Sequence, residues 1–281
     1  MLYRAADHGC EYSFANLFFW GEQQVAYVDG IPVFFSRFGS HYSYQLPMSG
    51  DMKKLIPLLW DDATRRKIPF RFFGIISRDQ DMLEALFPNA FRFFPVRDNF
   101  DYVYDINRLA ELQGKKLQAK RNHCNRFLES YPDYKVFPLT QDLLPACRSF
   151  VEFWYEDHKN HSPEDDFEEE RVAIARAFDH FDALGMEGIA LEAGGRIVGF
   201  SMGNRIREDT FDVNFEKALP SVQGAYPMVN REFARLLRQR YPELRLLNRE
   251  DDMGIEGLRK AKLSYHPDLL LEKLIAEAVD V

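Results

Sequence analysis

Gln23 to Val28 and Ile31 to Phe38 are short apolar-rich runs joined by Asp29-Gly30, the composition of a type I′ turn, so the pattern predicts a β-hairpin. A third strand over Tyr42 to Leu46 stops at Pro47. Met52, Leu55, Ile56, Leu59 and Trp60 then recur at helical spacing, with Ser49 as the expected N-cap. Pro69 to Ile76 reads as a strand, Asp79 to Phe87 as a short helix opened by Ser77, and Phe91 to Asp105 as further extended segments.

The same succession returns in the second half. Gly188 to Glu192 and Arg196 to Asn204 flank the hairpin turn Ala193-Gly194-Gly195, and Thr210 to Glu216 is a third strand. Pro220 precedes a helix with Val229, Phe233, Leu236 and Leu237 on one face. Leu244 to Asn248 is a strand, Gly254 to Leu263 a helix, and Leu269 to Leu274 either a strand or the start of a terminal helix. Between the halves, Ile106 to Tyr131 and Leu143 to Lys159 carry helical patterns. The order thus repeats about 165 residues apart without a shared residue motif. It implies an α+β chain of two domains, residues 1–134 and 135–281, parted between Pro132 and Pro138, with the basic helix closing the first domain.

A length of 281 residues fits two cores, and 46% hydrophobic and 15% aromatic content excludes extensive disorder. The net charge of −8 excludes general polyanion binding, DNA included. No apolar stretch approaches the roughly 20 residues of a membrane span, and Arg4, Asp7, His8 and Glu11 interrupt any signal-like segment, so a cytoplasmic location is expected. Cys10, Cys124 and Cys147 are isolated, which indicates buried thiols rather than disulfides or zinc.

Against the negative total, Gly114 to Leu128 holds no acid and five cations, Lys115, Lys116, Lys120, Arg121 and Arg126. On a helix, Lys116, Lys120 and His123 share one face with Arg121 beside them. That face either gathers donors on a phosphate or is a solvated surface. In Thr210 to Glu216, Asp212, Asn214 and Glu216 alternate with Phe211, Val213 and Phe215. If the polar face lines a cleft, Glu216 is placed to act as a general base; if it faces solvent, it is ordinary sheet surface. The loop through Gln223 and Gly224 offers backbone N–H groups to an anion. Asp251, Asp252, Arg259 and Lys260 sit where a strand gives way to a helix, which suits either a ligand crevice or the helix dipole. His158-x-x-His161 and the acidic run Glu164, Asp165, Asp166, Glu168, Glu169, Glu170 lack a defined third ligand, so no metal is expected. Hydrolase, nucleotide-phosphatase and dehydrogenase fingerprints are absent.

Two separated motifs carry a resemblance. Asp101-Tyr102-Val103-Tyr104-Asp105 with Gly114-Lys115-Lys116-Leu117 and Lys120 to Phe127, and Asn248 to Gly254 with Gly257 to Lys262 and Tyr265-His266-Pro267, are similar to the C-terminal domain of phosphatidylglycerol lysyltransferases. The resemblance spans roughly residue 15 to the end. It implies two tandem GNAT-like acyltransferase domains related to the Fem transferases, each a mixed, mostly antiparallel sheet flanked by helices, with the active cleft in or beside the second. The implied donor is aminoacyl-tRNA or acyl-CoA, without a tightly bound cofactor, and the acceptor is a small molecule or lipid headgroup. Glu216, with Asp212 on the same face, would deprotonate the acceptor, backbone N–H groups near Glu216 and Gly224 would stabilise the oxyanion, and Tyr226 or Tyr265 would protonate the leaving group. Lys116, Lys120, Arg121, Asn122, Gln223, Gly224, Arg249, Arg259 and Lys260 would hold donor phosphates. The alternative is a catalytically silent protein of the same fold that binds a nucleotide, CoA or tRNA.

Overall fold

The computed structural model describes residues 8–161 and 167–279, the side chains of 158–161 excepted, so the His158 and His161 imidazoles and Glu164, Asp165 and Asp166 lie outside the described residues. The chain opens with α1 (Phe14–Phe19), β1 (Glu22–Val28), β2 (Ile31–Phe38), β3 (His41–Tyr44), α2 (Met52–Arg66), β4 (Arg71–Ile75), α3 (Ser77–Leu86) and β5 (Phe91–Pro95). It continues through β6 (Asp101–Asp105), α4 (Ile106–Glu111), α5 (Gln118–Ser130), β7 (Lys135–Pro138), α6 (Leu144–His161) and α7 (Glu168–Asp179). The last elements are β8 (Met186–Ala193), β9 (Arg196–Arg205), β10 (Thr210–Ala218), α8 (Ala225–Arg240), β11 (Leu246–Asn248), α9 (Glu256–Leu263), β12 (Leu269–Leu271) and β13 (Leu274–Ala278). Both predicted hairpins form, and Asp29 and Gly30 take the positive φ values, 50° and 77°, of a type I′ turn.

The compact units divide at Asp101/Tyr102 instead of 134/135. One holds residues 1–101, 251–255 and 270–281, the other 102–250 and 256–269. Hydrogen bonding explains the shift. β6 pairs antiparallel with β11, so the chain has entered the second sheet well before Pro132. The basic helix α5 then packs its His123 carbonyl and Phe127 against Gly224, which places it in the second unit, and not in the first as the pattern suggested. The predicted Ile106–Tyr131 helix breaks into α4 and α5 because Leu112 and Gly114 both take positive φ. Leu269 to Leu274 resolves into the strands β12 and β13, and β13 returns to pair with β4 and β5.

The first unit is a six-stranded mixed sheet in the order β1-β2-β3-β4-β13-β5. α2 starts from Asp51, whose carboxylate accepts the Lys53 N–H at 3.0 Å, and not from Ser49, which is two residues too early and separated by Gly50 at φ 99°. Its Leu55, Ile56, Leu59 and Ala63 are buried, and Trp60 meets Phe70 in a tilted contact at 5.4 Å. Phe70 also meets Tyr44 and Phe72, so the abundant phenylalanines build a continuous aromatic core. One end of this unit carries a buried polar knot. The Lys273 ammonium lies 2.5 Å from both Glu11 Oε1 and Asp101 Oδ1, and Asp101 also accepts the Cys10 N–H at 2.9 Å.

The second unit is a seven-stranded mixed sheet in the order β12-β6-β11-β10-β9-β8-β7. α8 covers one face, where Val229 fills the space over Gly199 and Phe233 meets Phe211 edge-on at 5.5 Å. On the other face Phe150 of α6 and Phe178 of α7 pack on Phe200 at 6.0 and 5.7 Å. With both faces covered, β10 is buried on both sides rather than alternating between core and water.

The knot in the first unit ties stability to pH. Burial, offset in part by Lys273 and reinforced by Asp101, pushes the Glu11 carboxyl from 4.5 up to about 7. The folded state therefore keeps a proton that the unfolded chain has released between those two values. Stability is expected to be complete below about pH 4.5 and to fall by about 3 kcal/mol as pH rises through 7. Urea midpoints measured across that window should decline, and Glu11→Gln should flatten the decline.

Candidate active site

β10 and β11 run parallel for only three registers, Thr210↔Leu246, Phe211↔Leu247 and Asp212↔Asn248. β11 then ends, β10 continues to Ala218, and the strands part. Side chains beyond the last shared register face one another across this fork. Arg249 donates to Glu216 at 2.8 Å, and Asn214 donates to Glu250 at 3.0 Å and to Asp212 at 3.2 Å. Asn230, reaching in from α8, gives Glu216 a second donor at 3.2 Å.

A β-bulge sets which residues meet. Between Asp212 and Phe215 the register against β9 slips by one, so Asp212 pairs with Asn204 but Glu216 pairs with Ser201. Directly opposed residues share a face, and Ser201 and Asn204 are three apart on a regular stretch of β9, hence on opposite faces. Asp212 and Glu216 therefore also lie on opposite faces, which corrects the expected single polar face. Glu216 looks toward α8; Asp212, fully buried, does not join it. The bulge needs Gly203, since a Cβ there would strike the Asp212 carbonyl oxygen.

Glu216 and Arg249 are each 11% exposed at the side chain. The guanidinium carbon sits 4.9 Å from the Tyr265 ring centroid and 5.6 Å from that of Tyr104. Burial opposes the charge on Arg249, but Glu216 leads the contacts that raise its pKa above the ordinary arginine value. Lys120 of α5 places its ammonium 4.1 Å from the centroid of the same Tyr265 ring. Burial and then Arg249 pull the Lys120 pKa down, against Glu216. Tyr265 is shifted up by burial, so its phenol stays protonated, while Arg249 opposes and Glu216 reinforces that shift. Among the described residues, Arg249 Nη1 and Asn230 Oδ1 are buried here without a hydrogen-bond partner, as is Ser201 Oγ opposite Glu216. Arg249, Lys120 and Tyr265 thus bring two cations and a phenol together beside the carboxylate of Glu216, donors of the kind from which an anion can accept.

The remaining expected residues lie apart from this cluster. Lys116 is exposed in the turn before α5, so it is not in helical phase with Lys120, and His123 and Asn122 are exposed. Arg121 donates to the carbonyls of Leu112 and Gly114, closing the end of α4. The basic residues thus diverge instead of gathering on one ligand. Gln223 is exposed, and Gly224 stands at φ 83° where a Cβ would strike the His123 carbonyl, so close packing of α5 on the α8 N-terminus accounts for this glycine. Lys260 pairs with Glu256 at the surface, and Arg259 is half-buried on the same helix. Tyr226, unlike these, lies within electrostatic reach of Glu216: its phenol is pushed up to about 12, chiefly by burial, with Glu216 among the charges that raise it. Next to Glu216 but on the opposite face, Lys217 pairs with Glu170 at 2.7 Å and lies 3.9 Å from the Trp154 ring centroid.

Asn230, Tyr104 and Lys262 belong to the cluster without having been singled out from the sequence; Lys262 donates to the Arg249 carbonyl. A signal existed for Asn230, a polar residue between Val229 and Phe233 on a buried helix face. Tyr104 and Lys262 lie in the motifs that carried the resemblance, but nothing local distinguishes them from a core tyrosine and a helix-end lysine.

Two mixed sheets flanked by helices are the fold that the chain shares with FemX. The chain belongs to the phosphatidylglycerol lysyltransferase C-terminal family, whose sequence profile matches residues 3–277. It is 40% identical to a conserved protein of unknown function from Bacteroides thetaiotaomicron, with a TM-score of 0.90 over 98% of this chain and 93% of that one. L-PGS from Bacillus licheniformis shares the fold at 16% identity, with a TM-score of 0.64 over 92% of this chain and 85% of that one. An uncharacterised protein of Mycoplasmoides gallisepticum is 25% identical over 185 residues, 64% of this chain. The chain spans only 56% of that relative's length.

Because the fork geometry rests on the bulge, Gly203→Ala is expected to lose more than about 2 kcal/mol of stability through the clash with the β10 backbone. Chemical unfolding measures the loss, and an unchanged midpoint would separate the glycine from the bulge.

Proposed function

We propose that the second unit transfers an acyl or aminoacyl group at the fork between β10 and β11. The observation that carries this reading is the meeting of Glu216 with Arg249 and Asn230, where Arg249 Nη1 and Asn230 Oδ1 are buried without partners. In the proposed reaction the Glu216 carboxylate takes the proton of an acceptor amine or hydroxyl, directly or through water. The acceptor nitrogen or oxygen bonds to the donor carbonyl carbon, and the carbonyl's bond to the leaving oxygen or sulfur breaks. Tyr265, whose shifted phenol stays protonated, gives its proton to the leaving group, and Glu216 then releases the proton it took, which restores the phenol by way of solvent.

Lys120 and Arg249 hold an anionic part of the donor. Both are cations at the Tyr265 ring, and a phosphate or carboxylate accepts from the two together. Family membership supports aminoacyl-tRNA as donor and a lipid headgroup or small amine as acceptor, with acyl-CoA the competing donor. Asp212, on the other face of β10, has no direct part in this scheme.

Transfer of radiolabelled acyl groups from aminoacyl-tRNA and from acyl-CoA tests the reading. Glu216→Gln should lower kcat by a factor on the order of 100 or more while retaining donor binding. Lys120→Met should raise the donor KM instead. A folded wild type that binds either donor without turnover supports a silent binding protein, and undiminished turnover in Glu216→Gln removes Glu216 from the role.

A further inference from the structure

β1 is the outer strand of the first unit's sheet and has β2 as its neighbour on one side. The two strands register without a break from Glu22↔Arg37 to Val28↔Ile31, so no bulge turns the outer edge away. From Gln23 to Val28 the strand also lacks charged residues and proline, the side chains that usually keep an edge from pairing with another chain. Its cover is thin. Five of its seven residues are exposed, with Val25 at 56% and Tyr27 at 73%.

Hydrogen bonding decides which backbone groups of β1 look outward. Gln45 N–H donates to the Phe34 carbonyl at 3.1 Å, so Phe34 and the other even-numbered residues of β2 turn their peptide groups to β3. The odd residues Ile31, Val33 and Phe35 therefore bond to β1, at Val28, Ala26 and Gln24. That leaves the N–H and C=O groups of Gln23, Val25 and Tyr27 on the outer edge, where no strand among the described residues meets them. The Val25 and Tyr27 side chains stand on the face away from the core, since they oppose Phe34 and Pro32, whereas the alternate residues Val33 and Phe35 belong to the core.

We propose that β1 pairs antiparallel with β1 of a second copy of this chain, about a two-fold axis at Ala26, so that the two sheets join edge to edge. Outward groups have to meet outward groups. An axis at Ala26 sets Val25 opposite Tyr27 of the partner subunit and Tyr27 opposite Val25 of the partner subunit, and each pair exchanges two backbone hydrogen bonds. Both are pairs of an aromatic with a β-branched side chain, which favour one another across strands. Ala26 faces its own copy where antiparallel strands come closest, about 4.5 Å between Cα atoms, and its small side chain fits there. An axis at Val25 would set Tyr27 against Gln23 of the partner subunit and lose both pairs. No charge lies among the facing residues 24–28, and Glu22 before them is engaged by Arg37 at 2.5 Å, so the strand complements itself without repulsion across the axis. Tyr27 offers roughly 150 Å² of surface, and with the other exposed residues of β1 the patch approaches the about 500 Å² per copy that the smallest specific interfaces bury. The dimer is accordingly a modest one that depends on concentration. A two-fold contact occupies the β1 edge of both copies, which closes the assembly at two.

Sedimentation of the intact chain at rising concentration tests the pairing. The measured mass should climb from the 33.0 kDa of one chain toward twice that value and stop. Val25→Pro removes an outward N–H while leaving the ladder to β2 whole, and Tyr27→Lys brings a charge into the seam. Each should weaken dimerisation by about tenfold or more, with far-UV circular dichroism retained. Under oxidising conditions Ala26→Cys should link two copies through a disulfide, because the axis sets the two thiols within bridging distance. Gln24→Cys lies opposite Val28 of the partner subunit, away from its own copy, and should not link. Cys10, Cys124 and Cys147 are buried and give no competing bridge. A chain that stays monomeric at every concentration, which would leave the edge to a different protein, overturns the proposal. So do dimers that persist in both Val25→Pro and Tyr27→Lys, growth beyond two copies, or disulfide formation as fast in Gln24→Cys as in Ala26→Cys.

Discussion

The candidate site depends on one constraint, the parting of β10 from β11 after the Asp212↔Asn248 register, with a bulge beginning on β10 at the same place. Two strands that stayed paired would bury their edge groups in hydrogen bonds and leave no room between them. Parting exposes the strand ends to side chains, and the bulge turns Glu216 toward α8, where Asn230 waits. The Glu216–Arg249 pair then spans the fork. Burying such a pair costs several kcal/mol of desolvation per ion, and the mutual attraction repays it only with good geometry and further hydrogen bonds. Here Asn230 supplies the additional donor, and Tyr104 and Tyr265 supply ring faces for the guanidinium.

Buried lysines show the same accounting with different outcomes. Lys217 is half of a closed arrangement, with Glu170 as counter-ion and Trp154 beneath it, and so it is satisfied internally. Lys273 is likewise enclosed, by two carboxylates. Lys120 differs. It rests on the Tyr265 ring beside the Arg249 cation, and burial first and that cation second lower its pKa against the pull of Glu216. A cation placed beside another cation is compensated by an anion from outside, which is why Lys120 and Arg249 are read as a ligand-holding pair while Lys217 is read as structure.

Much of the architecture was legible in the sequence because hairpins and amphipathic helices are local. Asp29-Gly30 and Gly194-Gly195 mark turns that the backbone can hardly avoid, and the stripe of Val229, Phe233 and Leu237 needs no partner to be recognised. The two family motifs were legible as well, and Arg249, Lys120 and Tyr265, which lie in them, do come together. The division into units was not legible. Pro132 and Pro138 look like a boundary, yet the pairing of β6 with β11 is a contact across more than a hundred residues of chain, and that pairing decides to which core the basic helix belongs.

By itself, the sequence determined two similar successions of strands and helices, a hydrophobic content sufficient for two cores, a local basic run in an acidic chain, and membership motifs at two places. Only the tertiary structure decided that Asp212 and Glu216 face opposite ways. A period of two along β10 predicts one polar face, but register is set against β9, and one extra residue in that ladder inverts everything after it. It likewise decided that Arg121 caps a helix, that Gly224 admits a neighbouring backbone, and that Arg249 crosses to Glu216. Each of these outcomes is set by a contact between residues distant in the chain or by exact backbone geometry, and neither leaves a mark on local composition.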